Sequence, residues 1–166
     1  DVAAAAVTGQ DAFASHGPLR HLRGVAALFP EPVHVVVRED SGLASVAGLR
    51  GARVAVGSRG SGTRQTAMQV LRAHGLERDD YVIVDARGPD EALQLLAASR
   101  IDAVIEVISA PWRQLAAASA QAPMILLPLD PDATTRLAES VPGLVPLTIS
   151  QHTYGPQARD VPTLAA

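Results

Sequence analysis

Apolar runs alternating with helical segments predict an α/β fold, a mainly parallel sheet flanked by helices. Three observations carry the prediction. Runs such as "VHVVVRE", "IDAVIEVI" and "PMILLPL" are apolar almost throughout, as strands covered on both faces must be. Segments with apolar residues three and four apart fall between them, the order expected of strand–helix–strand units. A chain of 166 residues with 48% hydrophobic and 19% charged side chains can bury the core of one domain.

In chain order, "DVAAAAV" reads as a buried strand and "GQDAFASHG" as a short helix closed by Gly17. "LRGVAALF" and "VHVVVRE" are apolar runs separated by "PEP", the second rich in β-branched residues. "SGLASVAGLRG" is a short helix or turn leading to the strand "ARVAVG". The next helix begins near Ser61 to Thr63 and carries Ala67, Val70, Leu71 and Leu76 at helical spacing, with His74 and Gly75 as its stop. "YVIVDA" is a strand, and "GPDEALQLLAASR" a helix with Pro89 and Asp90 at its start. The strand "IDAVIEVI", the helix "PWRQLAAASA", the strand "PMILLPL" and the helix "DPDATTRLAES" complete the order.

Composition narrows the function classes. Net charge is −3, which gives no general electrostatic case for nucleic acid or an anionic membrane. All 14 basic side chains are arginine, so lysine-dependent chemistry is excluded, and the absence of cysteine excludes disulfides, thiolate metal sites and cysteine nucleophiles. No apolar run is as long as a membrane span, so no stable membrane insertion is expected. "DVAAAAV" is too short for a signal core and lacks basic residues before it, so the chain reads as a mature or excised piece. The apolar "DVPTLAA" at the other end also suggests a cut.

The most informative stretch is "VAVGSRGSGTRQTAMQVLRAHG", where a strand enters a Gly/Ser loop that opens into a helix. Gly57 and Gly62 have the spacing of a nucleotide phosphate loop, but Thr63 and Arg64 stand where Lys-Ser/Thr is required. A dinucleotide loop needs a third glycine, and a nucleophile elbow needs glycines two residues either side of a serine; neither is present. What remains is anion capture at a helix N-terminus. Unpaired backbone N–H groups and the helix dipole favour negative charge there. Gly60 and Gly62 admit close backbone approach, Ser61 and Thr63 supply hydroxyls, and Arg64 adds a charge if it points inward. The alternative is purely structural: Ser61 or Thr63 caps the helix, Gly60 eases the turn and Arg64 is solvated.

Other residues carry weaker signals. Asp102 reads as a cleft residue or a turn and capping group. Glu106, inside an apolar strand, is either a cleft residue or a salt-bridge partner, and the second is favoured. Trp112 at a helix start reads as core or lobe-interface packing. His34, His74 and His152 read as surface or strand histidines without catalytic partners. No His, Asp and Glu spacing suits a metal, so no metal, nucleotide or other cofactor is expected.

From "LRGVAALFPEPVHVVVREDSG" through "LRGARVAVGSRGSGTRQTAMQVLRAHGL", the chain resembles the TAXI family, the extracytoplasmic solute receptors of TRAP transporters. "EALQLLAASRIDAVIEV", "ILLPLD" and "HTYGPQARDVPTLAA" agree in order, so the resemblance covers nearly the whole chain. It departs at Ser109 and Ala110, where members commonly carry a glycine, at Ser150, and at His152, which replaces a glycine. The resemblance implies a periplasmic-binding-protein fold of type II, present as a fragment that is mostly the second lobe. Residues 1–38 would be part of the first lobe and the crossing strand, 39–150 the second α/β lobe, and 151–166 the start of the return crossing. It implies a periplasmic, non-enzymatic receptor for a small organic anion (an amino acid such as glutamate, or a dicarboxylate) that closes its lobes over the ligand and docks on TRAP membrane subunits. Gly60, Ser61, Gly62, Thr63, Arg64 and Tyr154 would contact the ligand, Tyr154 by donating its phenol to a carboxylate. A sensory ligand-binding domain of the same fold is the alternative, and a small-carboxylate enzyme a more distant one.

Overall fold

Val33 to Val37 alternate their side chains across a pleated strand, Val33, Val35 and Val37 into one apolar cluster and Val36 into another. Burial on both faces accounts for the nearly unbroken valine run, and it makes this strand a central one. In the computed structural model, which describes residues 2–10, 13–25, 28–155 and 157–166, the strand β1 (Val33–Arg38) lies between β4 (Ala103–Val107) and β5 (Met124–Leu126). The order of the five-stranded sheet is β3-β2-β4-β1-β5, with β2 (Arg53–Ala55) and β3 (Val82–Ile83) completing it. β2 is parallel to β3 and β4, while β1 is antiparallel to β4 and β5, so four strands share one direction and β1 opposes them.

Helices cover both faces. α2 (Gly62–Ala73) turns Ala67, Val70 and Leu71 to the first face, joined by Leu137 of α5 (Pro131–Ser140). α3 (Pro89–Ala97) and α4 (Arg113–Ser119) bring Ala92, Leu93, Leu96 and Leu115 to the second, together with Trp112 and Tyr154. Local chemistry sets the ends. α2 stops in a Schellman turn: Leu76 N–H donates to Leu71 O, Gly75 N–H donates to Arg72 O, and Gly75 takes φ +78°. Asp130 caps α5 by accepting the N–H groups of Asp132 and Ala133, with Pro131 in the first turn. His74 joins the two helices. Its Nδ1 lies 2.7 Å from Val70 O, an acceptor only, so Nδ1 carries the proton and Nε2 accepts the Asp130 N–H at 2.9 Å.

A two-stranded antiparallel ribbon, β6 (Val145–Ile149) and β7 (Val161–Ala165), lies after α5 in the chain. The end of β7 pairs with the segment entering β1: Glu31 and Ala166 exchange backbone hydrogen bonds, and the Thr163 hydroxyl donates to Val33 O at 2.6 Å. No helix among the described residues is long and apolar enough to cross a membrane.

Three expectations are corrected. "DVAAAAV" is not a strand, since Val2–Thr8 form the helix α1. Alanine has the highest helix propensity and little to recommend it in a sheet, so composition outweighed apolarity. Of the expected helix "GQDAFASHG", Asp11 and Ala12 lie outside the described residues, and Phe13 to Gly17 make a single turn closed by Gly17 N–H on Phe13 O. In "LRGVAALF", Ala26 and Ala27 lie outside the described residues, and Leu22 to Val25 form no strand, with Val25 99% exposed.

Candidate functional site

The parallel strands β2, β3 and β4 end on one edge of the sheet, and the loops that leave them there are 57–61, 84–88 and 108–112. The edge beyond the carboxyl ends of such strands is where α/β sheets bind ligands. Loop 57–61 climbs from β2 to α2. Ser61 is the N-cap: its hydroxyl accepts the Arg64 N–H at 3.1 Å and its carbonyl accepts the Gln65 N–H at 3.3 Å. Gly62 and Thr63, the first two residues of the helix, keep backbone N–H groups without a partner among the described residues, and so does the Thr63 hydroxyl. The two N–H groups lie at the positive end of the helix dipole, and the Thr63 hydroxyl belongs to the same first turn.

Two glycines shape the loop for different reasons. Gly57 has φ +75°, and a Cβ there would stand 2.7 Å from Thr63 Cγ2 and 3.2 Å from Arg64 N. Gly60 has φ +78°, but a Cβ would meet nothing within 4 Å. Both substitutions incur the left-handed backbone cost of about 1–2 kcal/mol, and only Gly57 adds a collision with the helix start. Gly57→Ala is therefore expected to lower unfolding free energy more than Gly60→Ala. Equal losses in urea titrations would show that the loop shifts freely away from α2.

Arg64 does not reach into the open end. Its Nη1 donates to Asp85 Oδ1 at 2.8 Å, and Arg59 donates to Asp85 Oδ2 from Nε and Nη2. Asp85 lies just after β3, so the pair ties the loops after β2 and β3 together. The hydrogen bond from Arg64, and then that from Arg59, hold the Asp85 carboxyl below the usual carboxylate range. Two guanidinium groups on one carboxylate leave an excess positive charge beside the helix start. Sequence reasoning did not single out Arg59 or Asp85, because their relation exists only once two loops are side by side.

Tyr154 stands apart from the loop, buried on the α3/α4 face. His34 Nδ1 lies 2.9 Å from Pro32 O, so that nitrogen carries the ring proton; Nε2 is then a bare acceptor, and the Tyr154 hydroxyl donates to it at 2.6 Å. The same oxygen accepts the Trp112 N–H at 2.8 Å. Three distant segments are thereby pinned by one phenol. Burial keeps His34 neutral, with its pKa lowered to about 4.

Glu106 departs from the salt-bridge reading. It is 7% exposed, and no ion pair or hydrogen bond engages its carboxyl among the described residues. Burial raises its pKa to about 7. Asp102 is a structural group at the opposite edge: it accepts Nε, Nη2 and the backbone N–H of Arg53, joining the starts of β2 and β4. Trp112 packs in the core as expected, 1% exposed and edge-on to His34.

The fold is similar to that of solved binding proteins. The periplasmic aliphatic sulphonate binding protein SsuA from Escherichia coli superimposes with a TM-score of 0.52 at 23% identity, over 84% of this chain and 38% of that one. A periplasmic sulfonate-binding protein SsuA from Methylobacillus flagellatus KT gives 0.49 at 20% identity, over 58% and 27%. The arginine-bound form of truncated ArgBP from T. maritima gives 0.46 at 23%, over 61% and 43%. The first of these shows that the chain has the α/β fold of a periplasmic binding protein in the part it spans. That part is between 27% and 43% of the length of these three structures. The profile of the NMT1-like family matches residues 1–166, and the chain belongs to the NMT1-like family.

Proposed function

We propose that the chain is the greater part of one lobe of an extracytoplasmic solute receptor, binding a small organic anion at Gly60, Ser61, Gly62, Thr63 and Arg64. The observation that carries this is the start of α2, where two backbone N–H groups and the Thr63 hydroxyl lack partners among the described residues at the carboxyl edge of the parallel strands. Ser61 already serves as the cap, so the Thr63 hydroxyl is left over for a ligand. Arg64 contributes through the excess charge it makes with Arg59 on Asp85, and Tyr154 by bracing the segments behind the edge.

On this reading the chain is a binding component and not an enzyme. Residues 1–38 supply part of a first lobe and the crossing strand, 39–150 the second lobe, and 151–166 the return crossing. The ligand bridges the lobes and stabilises their closed arrangement, which membrane subunits of a transporter recognise. The resemblance to TAXI receptors supports a TRAP transporter as that partner, the periplasm as the location, and an amino acid or dicarboxylate as the ligand.

Thr63→Ala tests it. A hydrogen bond to a charged group contributes about 1.5–3 kcal/mol, so affinity for the anion should fall roughly tenfold to a hundredfold. Thr63→Ser, which keeps the hydroxyl, should retain most of it. Calorimetric titration with L-glutamate and succinate reads the effect, and melting temperatures read the fold. A destabilised Thr63→Ala protein with unchanged affinity would overturn the assignment of this loop.

A further inference from the structure

β5 is the last strand of its sheet, and the hydrogen bonds it makes with β1 fix which of its backbone groups are left over. Glu39 N–H donates to Pro123 O and Leu127 N–H donates to Val35 O, and the register sets Val37 against Ile125 between them. Bonded positions alternate along an antiparallel pair. Pro123, Ile125 and Leu127 therefore address β1, while Met124 and Leu126 turn their N–H and C=O groups away from it. None of these four groups has a partner among the described residues. Such an edge is a template for another strand.

A cavity of about 760 Å³ lies against this edge, within the roughly 300–1,000 Å³ typical of ligand sites. Leu115, Met124, Leu126 and Val161 give it an apolar wall on the α3/α4 face, and Leu43 lines it from the other. Two of its lining side chains hold buried polar atoms without a partner, Ser119 Oγ and Gln157 Oε1. Buried polar groups are ordinarily hydrogen-bonded, so their convergence with the free edge suits an occupant with a polar backbone. The rim is charged with opposite signs. Glu39 stands beside Pro123 at the start of β5, and Arg159 belongs to the loop whose Pro162 O accepts the Leu129 N–H beyond the strand's end. Neither side chain has an ion-pair or hydrogen-bond partner among the described residues, whereas the neighbouring Asp160 accepts the Gln151 N–H.

We propose that this cavity binds a short, apolar, extended peptide as an added strand parallel to β5, with its ammonium end toward Glu39 and its carboxylate end toward Arg159. In parallel pairing one peptide residue uses both inner groups of the edge: its N–H donates to Met124 O, and its C=O accepts the Leu126 N–H. β1 and β4 stand between β5 and β2, so this site is separate from the loop at the start of α2 and does not rest on it.

Trileucine with free termini is the probe, and calorimetry on the whole chain should give one-to-one binding with a dissociation constant below about 1 mM. N-methylation of its middle residue removes the N–H that meets Met124 O and should weaken binding about tenfold or more. N-methylation of the third residue, whose N–H points away from β5, should leave affinity within about threefold. Leu126→Pro removes a donor that the fold leaves unused, and an edge strand tolerates proline where its N–H faces outward. That variant should lose about tenfold or more in affinity at a nearly unchanged melting temperature. Ala44→Trp, which fills the cavity from an exposed position, should do the same and decides the matter if Leu126→Pro does not fold. No binding at 1 mM, equal weakening by the two methylations, or wild-type affinity in Ala44→Trp overturns the proposal. So does loss of trileucine binding in Thr63→Ala, which would move the peptide to the α2 loop.

Discussion

Tyr154→Phe is expected to destabilise the protein by about 2–4 kcal/mol while removing only one oxygen. That oxygen donates to His34 Nε2 and accepts the Trp112 N–H. Its loss strands one acceptor and one donor, each with a desolvation cost of about 1–3 kcal/mol when unsatisfied. Both partners are sealed, His34 at 0% and Trp112 at 1% exposure, so water cannot take the place of the phenol without opening the core. Urea denaturation reads the stability, and anion titration of the same variant reads the affinity. A loss of less than about 1 kcal/mol, or a large fall in affinity with unchanged stability, would return Tyr154 to the role of a ligand contact.

The second large effect is on pH dependence. Glu106 has its pKa raised from 4.5 to about 7, and His34 has its pKa lowered from 6.5 to about 4, both by burial. At about 1.36 kcal/mol per pH unit, each contributes a stability change of about 3 kcal/mol across its window. The directions are opposite. Between pH 4.5 and about 7 the unfolded chain has lost the Glu106 proton and the folded protein keeps it, so this group makes stability fall as pH rises. Between pH 6.5 and about 4 the unfolded chain takes up a proton at His34 and the folded protein does not, so that group makes stability fall as pH drops. The two trends offset one another where the windows overlap.

Glu106→Gln is accordingly expected to stabilise the protein by up to about 3 kcal/mol at pH 8 and by almost nothing at pH 4. In that variant the His34 trend stands alone above about pH 5, and stability should decline steadily as the pH falls from 6.5. Urea midpoints measured from pH 4 to 8 decide it. The salt-bridged Asp85, Asp102 and Glu91 titrate below their ordinary range, so their contributions begin to be lost only as the pH falls below about 5, in the same direction as that of His34. Equal stability of the variant and the wild type at pH 8 would mean that Glu106 is ionised without penalty, and hence that a cation or water reaches it.

Local rules sufficed for much of the architecture. The starts of α2 at Ser61 and of α5 at Asp130 are readable from side chains that accept backbone N–H groups within three residues of themselves, the start of α3 from the fixed φ of Pro89, and the stop of α2 from the left-handed Gly75. The β-branched run of β1 and the alternation of apolar runs with helices determined the α/β class for a similar reason, since burial on both faces needs no long-range information. The alanine-rich start failed because four consecutive alanines favour a helix over a strand, and the valines at either end do not outweigh them.

What only the tertiary structure decided depends on which strand lies beside which. The reversed direction of β1 is invisible in a valine run, because a strand reads the same whether its neighbours are parallel or antiparallel. Arg64 turns to Asp85 because β3 lies next to β2, and Tyr154 turns inward because His34 and Trp112, 120 and 42 residues away in sequence, meet at its hydroxyl. Glu106 shows the limit most clearly. Sequence rules say that a charge in an apolar strand needs a partner, but only the folded chain, with His34 opposite it on β1 already engaged by Pro32 and Tyr154, reveals that no ion pair or hydrogen bond among the described residues engages it. Pairing of side chains is settled in space, and the sequence carries only each residue's demand for a partner.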